Sequence, residues 1–169
     1  MTVEPRLAPG MGSVSDSLHR IGLIADTHGL IRPEALNALR DSDLIIHCGD
    51  IGDPAVLEEL RAVAPVRAVR GNNDRSDWAA SLPTSDLLET GGHAIFVLHN
   101  LAELLLDPAA CNFTAIISGH SHRPIVKRQG MTLFVNPGSA GPRRFSLPVT
   151  VATLDLHSDR CEANIIELV

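Results

Sequence analysis

The sequence predicts an α/β fold in which two sheets pack together and helices cover their outer faces. In the first half of the chain, short apolar runs alternate with amphipathic stretches, the order typical of strand–loop–helix units with parallel strands. In the second half, strand-like segments follow one another with glycine and proline turns between them and little helix. The 169 residues are enough for one domain with a sizeable core.

The first half predicts three buried strands with two helices between them. Each strand is a short apolar run that ends at a polar loop. Each helix has a proline in its first turn, where the missing N–H is tolerated, and apolar residues recur on one face. The strands cover 21–25, 44–46 and 66–69, and the helices begin at Pro33 and Pro54.

The second half predicts six further strands. The first two are apolar runs that end at histidine-containing loops, and the others are separated by glycine and proline turns. We interpret the last four as an antiparallel meander. The six cover 93–98, 115–117, 125–127, 132–135, 149–156 and 163–168.

The N-terminal segment differs in composition from the rest of the chain. Residues 1–19 contain prolines, glycines and serines without a period of 2 or 3.6. We therefore expect a flexible extension over 1–19 and a single domain over 20–169.

Composition and charge exclude several classes of protein. The net charge is -6, from 14 basic and 20 acidic residues, so we expect no stable nucleic-acid complex. No apolar run reaches the ~18 residues of a membrane span, and the N-terminus lacks the pattern of a secretory signal. The 3 cysteines show no CxxC spacing, which fits reduced thiols. We expect a cytoplasmic protein without membrane contact.

The chemistry-bearing residues lie at the ends of the predicted strands. The chain has 8 histidines but only 3% aromatic residues. Because ligands gather at the carboxyl ends of strands in open α/β sheets, we expect the loops that follow the strands to converge. The candidate ligands are Asp26, His28, Asp50, Asn72, His99, His120 and His122.

This donor set suits two metal ions better than one. One transition-metal ion takes four to six donors, so seven donors fit two ions that share a carboxylate. Nitrogen and oxygen donors without thiolate favour Mn, Fe, Zn, Co or Ni. Glycines precede Asp50, Asn72 and His120, and we expect them to allow backbone bends that aim these ligands inward.

The ordered series DxH, GD, GN, H and GHxH resembles the calcineurin-like metallophosphoesterases. The short chain and the Asn-Pro-Gly-Ser segment at 136–139 are similar to the small bacterial phosphodiesterases related to the retromer sorting subunit. The resemblance covers about residues 21–168. It implies a four-layer α-β-β-α sandwich with two mixed sheets inside.

The resemblance also implies roles for the seven residues. It implies a phosphodiesterase in which two divalent ions, preferably Mn, supply a bound hydroxide that attacks phosphorus. The candidate catalytic residues are Asp50, Asn72 and His99. The first ion would be held by Asp26, His28 and His122, the second by Asn72, His99 and His120, and Asp50 would bridge them.

Two departures from the family pattern bear on the substrate. Asn73 stands where larger members have a histidine that protonates the leaving group, and an amide cannot supply a proton at neutral pH. The connection over 100–112 is shorter than in many relatives. We expect a small phosphodiester, an activated ester or a nucleotide as substrate.

Structural roles compete with ligation at several positions. Asp50, Asn72 or Asp74 could cap a helical segment, and for Asp74 we favour a structural role that orients its neighbours. His47 is expected to pack on its strand, and Cys48 to be a small buried residue. The remaining histidines, His19, His93 and His157, are not expected to bind metal.

Other features leave alternatives open. Arg143 and Arg144 could steer a phosphate or belong to a solvated turn. Asn136 and Ser139 are expected to set turn geometry. The alternative function is a metallophosphoesterase fold that serves as a protein-interaction scaffold, and a homodimer through the late strands is also consistent with the sequence.

Overall fold

The computed structural model describes residues 18–169, which form two five-stranded mixed sheets packed face to face. This confirms the predicted architecture. The predicted extension at 1–19 lies outside the described residues, apart from Leu18 and His19. Leu18 packs against the core between the sheets, and the backbone N–H of His19 donates to Asp43.

The first sheet has the order β10-β9-β1-β2-β3. Strands β1, β2 and β3 are parallel, whereas β9 and β10 are antiparallel additions on the other side of β1. The strands are β1 Arg20–Ile24, β2 Leu44–His47, β3 Val66–Ala68, β9 Thr150–Leu156 and β10 Cys161–Glu167.

The second sheet has the order β4-β5-β6-β8-β7. Strands β5, β6 and β8 are parallel, and the edge strands β4 and β7 are antiparallel to their neighbours. The strands are β4 Ser85–Thr90, β5 His93–Leu98, β6 Ala115–Ile117, β7 Ile125–Gln129 and β8 Thr132–Asn136.

The antiparallel meander predicted for the last four strands is wrong as a continuous unit. Only the β7–β8 and β9–β10 hairpins are antiparallel neighbours, because β8 pairs in parallel with β6 and the chain then crosses to the first sheet. The prediction also missed β4, which forms a hairpin with β5 through Gly91 and Gly92. Both glycines have positive φ, as a two-residue hairpin turn requires.

Two short α-helices cover the outer face of the first sheet. Helix α1 spans Pro33–Ala38 and α2 spans Pro54–Arg61, each beginning at the predicted proline. The N-cap of α2 is Asp53, whose carboxylate accepts from the Ala55 N–H at 2.8 Å. The outer face of the second sheet is packed by residues of the 100–113 connection, which includes a 3₁₀ turn at Leu101–Glu103.

The core follows from the alternation of side chains along the strands. Ile21 and Leu23 of β1 point between the two sheets, where they join Ile95 and Ile117 of the second sheet. Ile24 faces the opposite side, toward the helices. Within residues 18–169, no helix has the length and apolar character needed to cross a membrane.

Candidate metal centre

Loops after five strands meet at one end of the sandwich and bring the seven predicted side chains together. The donor atoms of Asp26, His28 and His122 lie within 4.8 Å of one another, as do those of Asp26, Asp50 and His99. The other two predicted residues adjoin this second group. Asn72 Oδ1 is 3.1 Å from His120 Nδ1, and the rings of His120 and His99 are 5.2 Å apart.

The distances between donor atoms suit metal coordination. In the first group, His122 Nε2 is 3.4 Å from His28 Nε2 and 3.5 Å from Asp26 Oδ1. Two ligands bound to one zinc-like ion at about 2.1 Å are themselves about 3.0 to 3.4 Å apart. The spacing of this group is therefore close to that of a coordinated ion.

Asp50 lies between the two groups. Its Oδ2 is 3.4 Å from His99 Nε2 and 4.0 Å from His28 Nε2. Asp26 is also central, since its Oδ1 faces His99 Nε2 at 3.8 Å as well as His122. The other carboxylate oxygen of Asp26 accepts the backbone N–H of His120 at 3.0 Å. Each carboxylate can thus be shared between neighbouring ions.

Two of the donor atoms are buried and make no hydrogen bond, although buried polar atoms usually have one. Among the described residues, these are Asp26 Oδ1 and His99 Nε2; His122 Nδ1 is also buried without a hydrogen bond, but His122 faces Asp26 through its other ring nitrogen. His99 Nδ1 lies 2.7 Å from the Cys48 carbonyl oxygen, so Nδ1 carries the hydrogen and donates it. The free lone pair of a neutral His99 then points at two carboxylates, an unfavourable contact that either a proton on Nε2 or a metal cation relieves. The donor set therefore fits divalent metal ions.

The backbone at these donors is unusual. Asp26, His28, Asp50, His120 and His122 have φ between 47° and 71°, in the left-handed region that non-glycine residues rarely adopt. Residues in such conformations cluster at functional sites, where the surrounding structure holds them in place. Five of the seven predicted ligands share this feature, and it was not visible in the sequence.

Burial and neighbouring charges shift the pKa values of Asp50, His99 and His28. Burial alone would raise the pKa of Asp50, but the facing His99 ring and the Asn73 backbone N–H lower this pKa below its usual range. Burial would lower the pKa of His99, but Asp50 and the Cys48 carbonyl raise it. Burial lowers the pKa of His28 despite the attraction of Asp50 and Asp26. Asp50 is therefore anionic, and positive charge beside it is favoured.

Asn73 and Asp74 position the loops around Asp50. Asn73 donates to both Asp50 oxygens at 2.9 Å, through its backbone N–H and its side-chain amide. The buried Asp74 carboxylate accepts three backbone N–H groups, from Ile51, Gly52 and Gly71, at 2.9 to 3.1 Å. Asp74 therefore ties the loop after β2 to the loop after β3, and it does not cap the following 3₁₀ turn.

His47 makes a buried polar contact that the sequence analysis did not predict. Its Nε2 is 2.9 Å from Thr27 Oγ1, whose hydroxyl donates to the Ile51 carbonyl, and its Nδ1 accepts the Gly49 N–H. Burial lowers the pKa of His47 to about 3, so the ring is neutral. The ring connects the loop of Asp26 and His28 to the loop of Asp50. Cys48, as expected, is buried.

The segment 136–139 braces the loops that carry the predicted ligands. Ser139 Oγ donates to the Asp26 carbonyl at 2.9 Å, and the Asn136 side-chain amide donates to the Gly119 carbonyl at 2.9 Å. Asn136 Oδ1 also accepts the Gly138 N–H, which closes the expected turn. The motif that carried part of the resemblance is thus buried structural support next to the site.

The arginines and the other histidines singled out in the sequence differ in their distance from this centre. Arg143 donates to the Val169 carbonyl at 2.9 Å, whereas the charge of Arg144 lies close enough to contribute to the lowered pKa of His28. His93 contacts the His157 carbonyl through Nε2 at 2.6 Å, at the start of β5 and so at the other end of this strand from His99. Trp78 packs against the helix-facing core.

Comparison with known proteins gives a consistent result. A model of the calcineurin-like phosphoesterase superfamily domain matches residues 20–159. A probable metallophosphoesterase of Methanothermobacter thermautotrophicus is 34% identical over 158 residues, which cover 86% of this chain and 91% of that protein.

Solved structures share the fold at lower identity. Vps29 of Chaetomium thermophilum has a TM-score of 0.72 and 20% identity, over 88% of this chain and 96% of that one. The structure of a novel archaeal phosphodiesterase has a TM-score of 0.68 and 20% identity, over 87% of this chain and 99% of that one. At these identities the likeness establishes the architecture.

Proposed function

The chain belongs to the calcineurin-like phosphoesterase superfamily, a family of metal-dependent hydrolases, and on this premise we propose that it is a phosphodiesterase with a dinuclear metal centre. The observation that carries the proposal is the convergence of carboxylate and imidazole donors, with Asp26 Oδ1 and His99 Nε2 buried and unpartnered.

We assign one ion to the first donor group and the other to a second ligand set, His99 with the adjoining Asn72 and His120. Bound ions would acidify water, orient the phosphate and neutralise charge in an in-line displacement. Asp50 would serve both ions. The ligands proposed for one ion are Asp26, His28 and His122, and for the other Asn72, His99 and His120.

The chain's own residues prepare this chemistry. The Cys48 carbonyl fixes the His99 tautomer, so that Nε2 keeps its lone pair for a cation. Asn73 holds the Asp50 carboxylate by two hydrogen bonds but has no proton to give at neutral pH. This favours activated esters, whose leaving group departs without protonation. For a small phosphodiester or a nucleotide, the natural substrates we propose, water would have to protonate the leaving group. Mn is our first choice of ion, with Fe, Zn, Co or Ni as the others that these donors accept.

The direct test is metal-dependent hydrolysis of bis(p-nitrophenyl) phosphate by purified protein stripped with EDTA. We expect turnover to return on addition of Mn²⁺, with two ions bound per chain by elemental analysis. Asp50→Ala should abolish turnover and leave circular dichroism unchanged. Asp41→Ala is the matched control, because the Asp41 side chain is 77% exposed and its ion pair, with Arg40 at 4.0 Å, is at the surface.

Two results would contradict the proposal. Unfolding of Asp50→Ala would mean that the ions have a structural role. Absence of turnover with all five ions, despite two bound per chain, would favour the alternative of a protein-interaction scaffold, and affinity capture of a partner would then be the next experiment.

A further inference from the structure

A polar cleft opens beside the donor group of Asn72, His99 and His120. Its volume is about 450 Å³, and these three residues form part of its wall. Among the described residues that line it, none has an aliphatic, phenyl or indole side chain. The cleft is therefore contiguous with the proposed metal centre, and every residue in its wall apart from Gly71 has a side chain that carries a polar group.

Two arginines and two acidic residues line the cleft, in a chain of net charge -6. Arg70 follows β3, and its backbone N–H is fixed by the Pro83 carbonyl at 2.8 Å. Its half-buried guanidinium makes no hydrogen bond or ion pair with any residue in the described part of the chain. Arg75 donates through Nε to the Asn72 carbonyl at 3.0 Å, which holds its guanidinium at the cleft.

Neither acidic residue in the wall forms an ion pair with these arginines within the described residues. The carboxylate oxygens of Asp74 accept three backbone N–H groups instead. Glu103 lies exposed on the 3₁₀ turn of the 100–113 connection and makes no ion pair within residues 18–169. An arginine fork without a protein partner matches the planar oxygens of a carboxylate or the oxygens of a phosphate.

We propose that this cleft binds one ester arm of the substrate and that this arm is polar and carries an anionic group of its own, a carboxylate or a second phosphate. The inference rests on the proposed function, since it places the scissile phosphate at the metal centre. Arg70 is the principal specificity residue and Arg75 assists it.

Other arms fit the cleft less well. An aliphatic or aryl arm would remove water from Arg70 and Arg75 without replacing their hydrogen bonds, which is costly. A nucleobase can stack on an imidazole or guanidinium plane of this wall, but it brings no anionic group to pair with Arg70. A hydroxylated arm with an anion satisfies both the arginines and the neutral polar wall.

Binding of product-like ligands tests the cleft separately from catalysis. We would titrate the Mn²⁺-loaded protein calorimetrically with glycerol 3-phosphate, 3-phosphoglycerate and glycerol 1,3-bisphosphate, which share one phosphate and differ in the second group. A charge-assisted hydrogen bond predicts about tenfold tighter binding of the two ligands that carry a second anion. Comparison of these two identifies carboxylate or phosphate as the preferred group.

Matched variants locate the effect. Arg70→Gln, and the double variant with Arg75→Gln, should reduce the preference to about threefold or less, whereas Arg40→Gln, an equal charge change on an exposed residue of α1's C-terminal turn, should retain it. Equal affinity for all three ligands in the parent protein, or a preference retained in the double variant, would overturn the proposal. A preference without hydrolysis of either bis(p-nitrophenyl) phosphate or a phosphodiester with an anionic arm would support the cleft and refute the phosphodiesterase.

Discussion

Gly71→Ala should disable the metal centre without unfolding the protein. Gly71 lies at the end of β3 directly against Asp50, and a Cβ at this position would be 2.8 Å from Asp50 Cγ and closer still to Asp50 N and Oδ1. Ordinary contact begins at 3.4 Å, so both the Asp50 carboxylate and the Asp50 backbone would have to move by about 1 Å. The φ of Gly71 is not in the left-handed region, so alanine meets a steric obstacle and no backbone strain.

The expected loss of turnover follows from how precisely the catalytic groups must be placed. A displacement of about 1 Å in a catalytic group lowers turnover by about a hundredfold. Crowding of a packed site costs about 1–3 kcal/mol in the free energy of unfolding. We expect turnover of bis(p-nitrophenyl) phosphate to fall by about this factor and bound metal to fall below two ions per chain.

The control is Gly130→Ala in the β7–β8 turn. Gly130 has φ +60 and no atom within 4 Å of an added Cβ, so alanine there costs about 1–2 kcal/mol of strain but does not approach the metal centre. Elemental analysis, thermal unfolding and initial rates would be measured for both variants. Turnover of Gly71→Ala within threefold of the parent, with two ions bound, would refute the reasoning.

Two further predictions concern Asn73 and His47. Asn73→His introduces the proton donor that larger family members have at this position. It should raise the rate on alkyl phosphate esters more than on p-nitrophenyl esters, whose leaving group needs no proton. Equal changes on both would show that position 73 does not protonate the leaving group. His47 has a pKa of about 3 in the fold, below its ordinary 6.5. Between pH 3 and 6.5 the unfolded chain therefore binds one more proton than the folded protein. The free energy of unfolding should fall by about 1.4 kcal/mol per pH unit as the pH drops below 6.5. His47→Gln should be less stable at pH 7 but lose this slope in denaturant titrations from pH 7 to 4.5, and an unchanged slope would exclude His47 as its source.

Strands that are apolar along their whole length could be predicted from the sequence alone. Strands β1, β2 and β6 are buried throughout or nearly so, and their patterns are unambiguous. Strand β4 was missed because it is an edge strand in which only Leu88 and Thr90 are buried. The parallel β6–β8 pairing was missed because a hairpin turn is encoded locally, whereas the choice of the next neighbour depends on the whole sheet.

The candidate site could be predicted as a set of side chains but not as a geometry. The expectation that glycines before Asp50, Asn72 and His120 provide backbone bends is correct only for Gly49, with φ +98. Gly71 and Gly119 are required for space, since an added Cβ would meet Asp50 and Asp26. Such close approaches join loops from different strands and leave no periodic signal in the sequence. The Thr27–His47 contact was not predictable for the same reason.

The bends that aim the ligands are made by the ligands themselves, and this explains the support around them. Each left-handed residue among the five costs about 1–2 kcal/mol relative to ordinary backbone. Such conformations persist only where contacts over-determine them. The Asp26 and His28 N–H groups donate to the Gly49 and Asp50 carbonyls at 3.0 Å, while Ser139 holds the Asp26 carbonyl. The donor positions are therefore imposed by the two sheets and the 136–139 segment, so the fold itself sets the spacing that we assign to two ions.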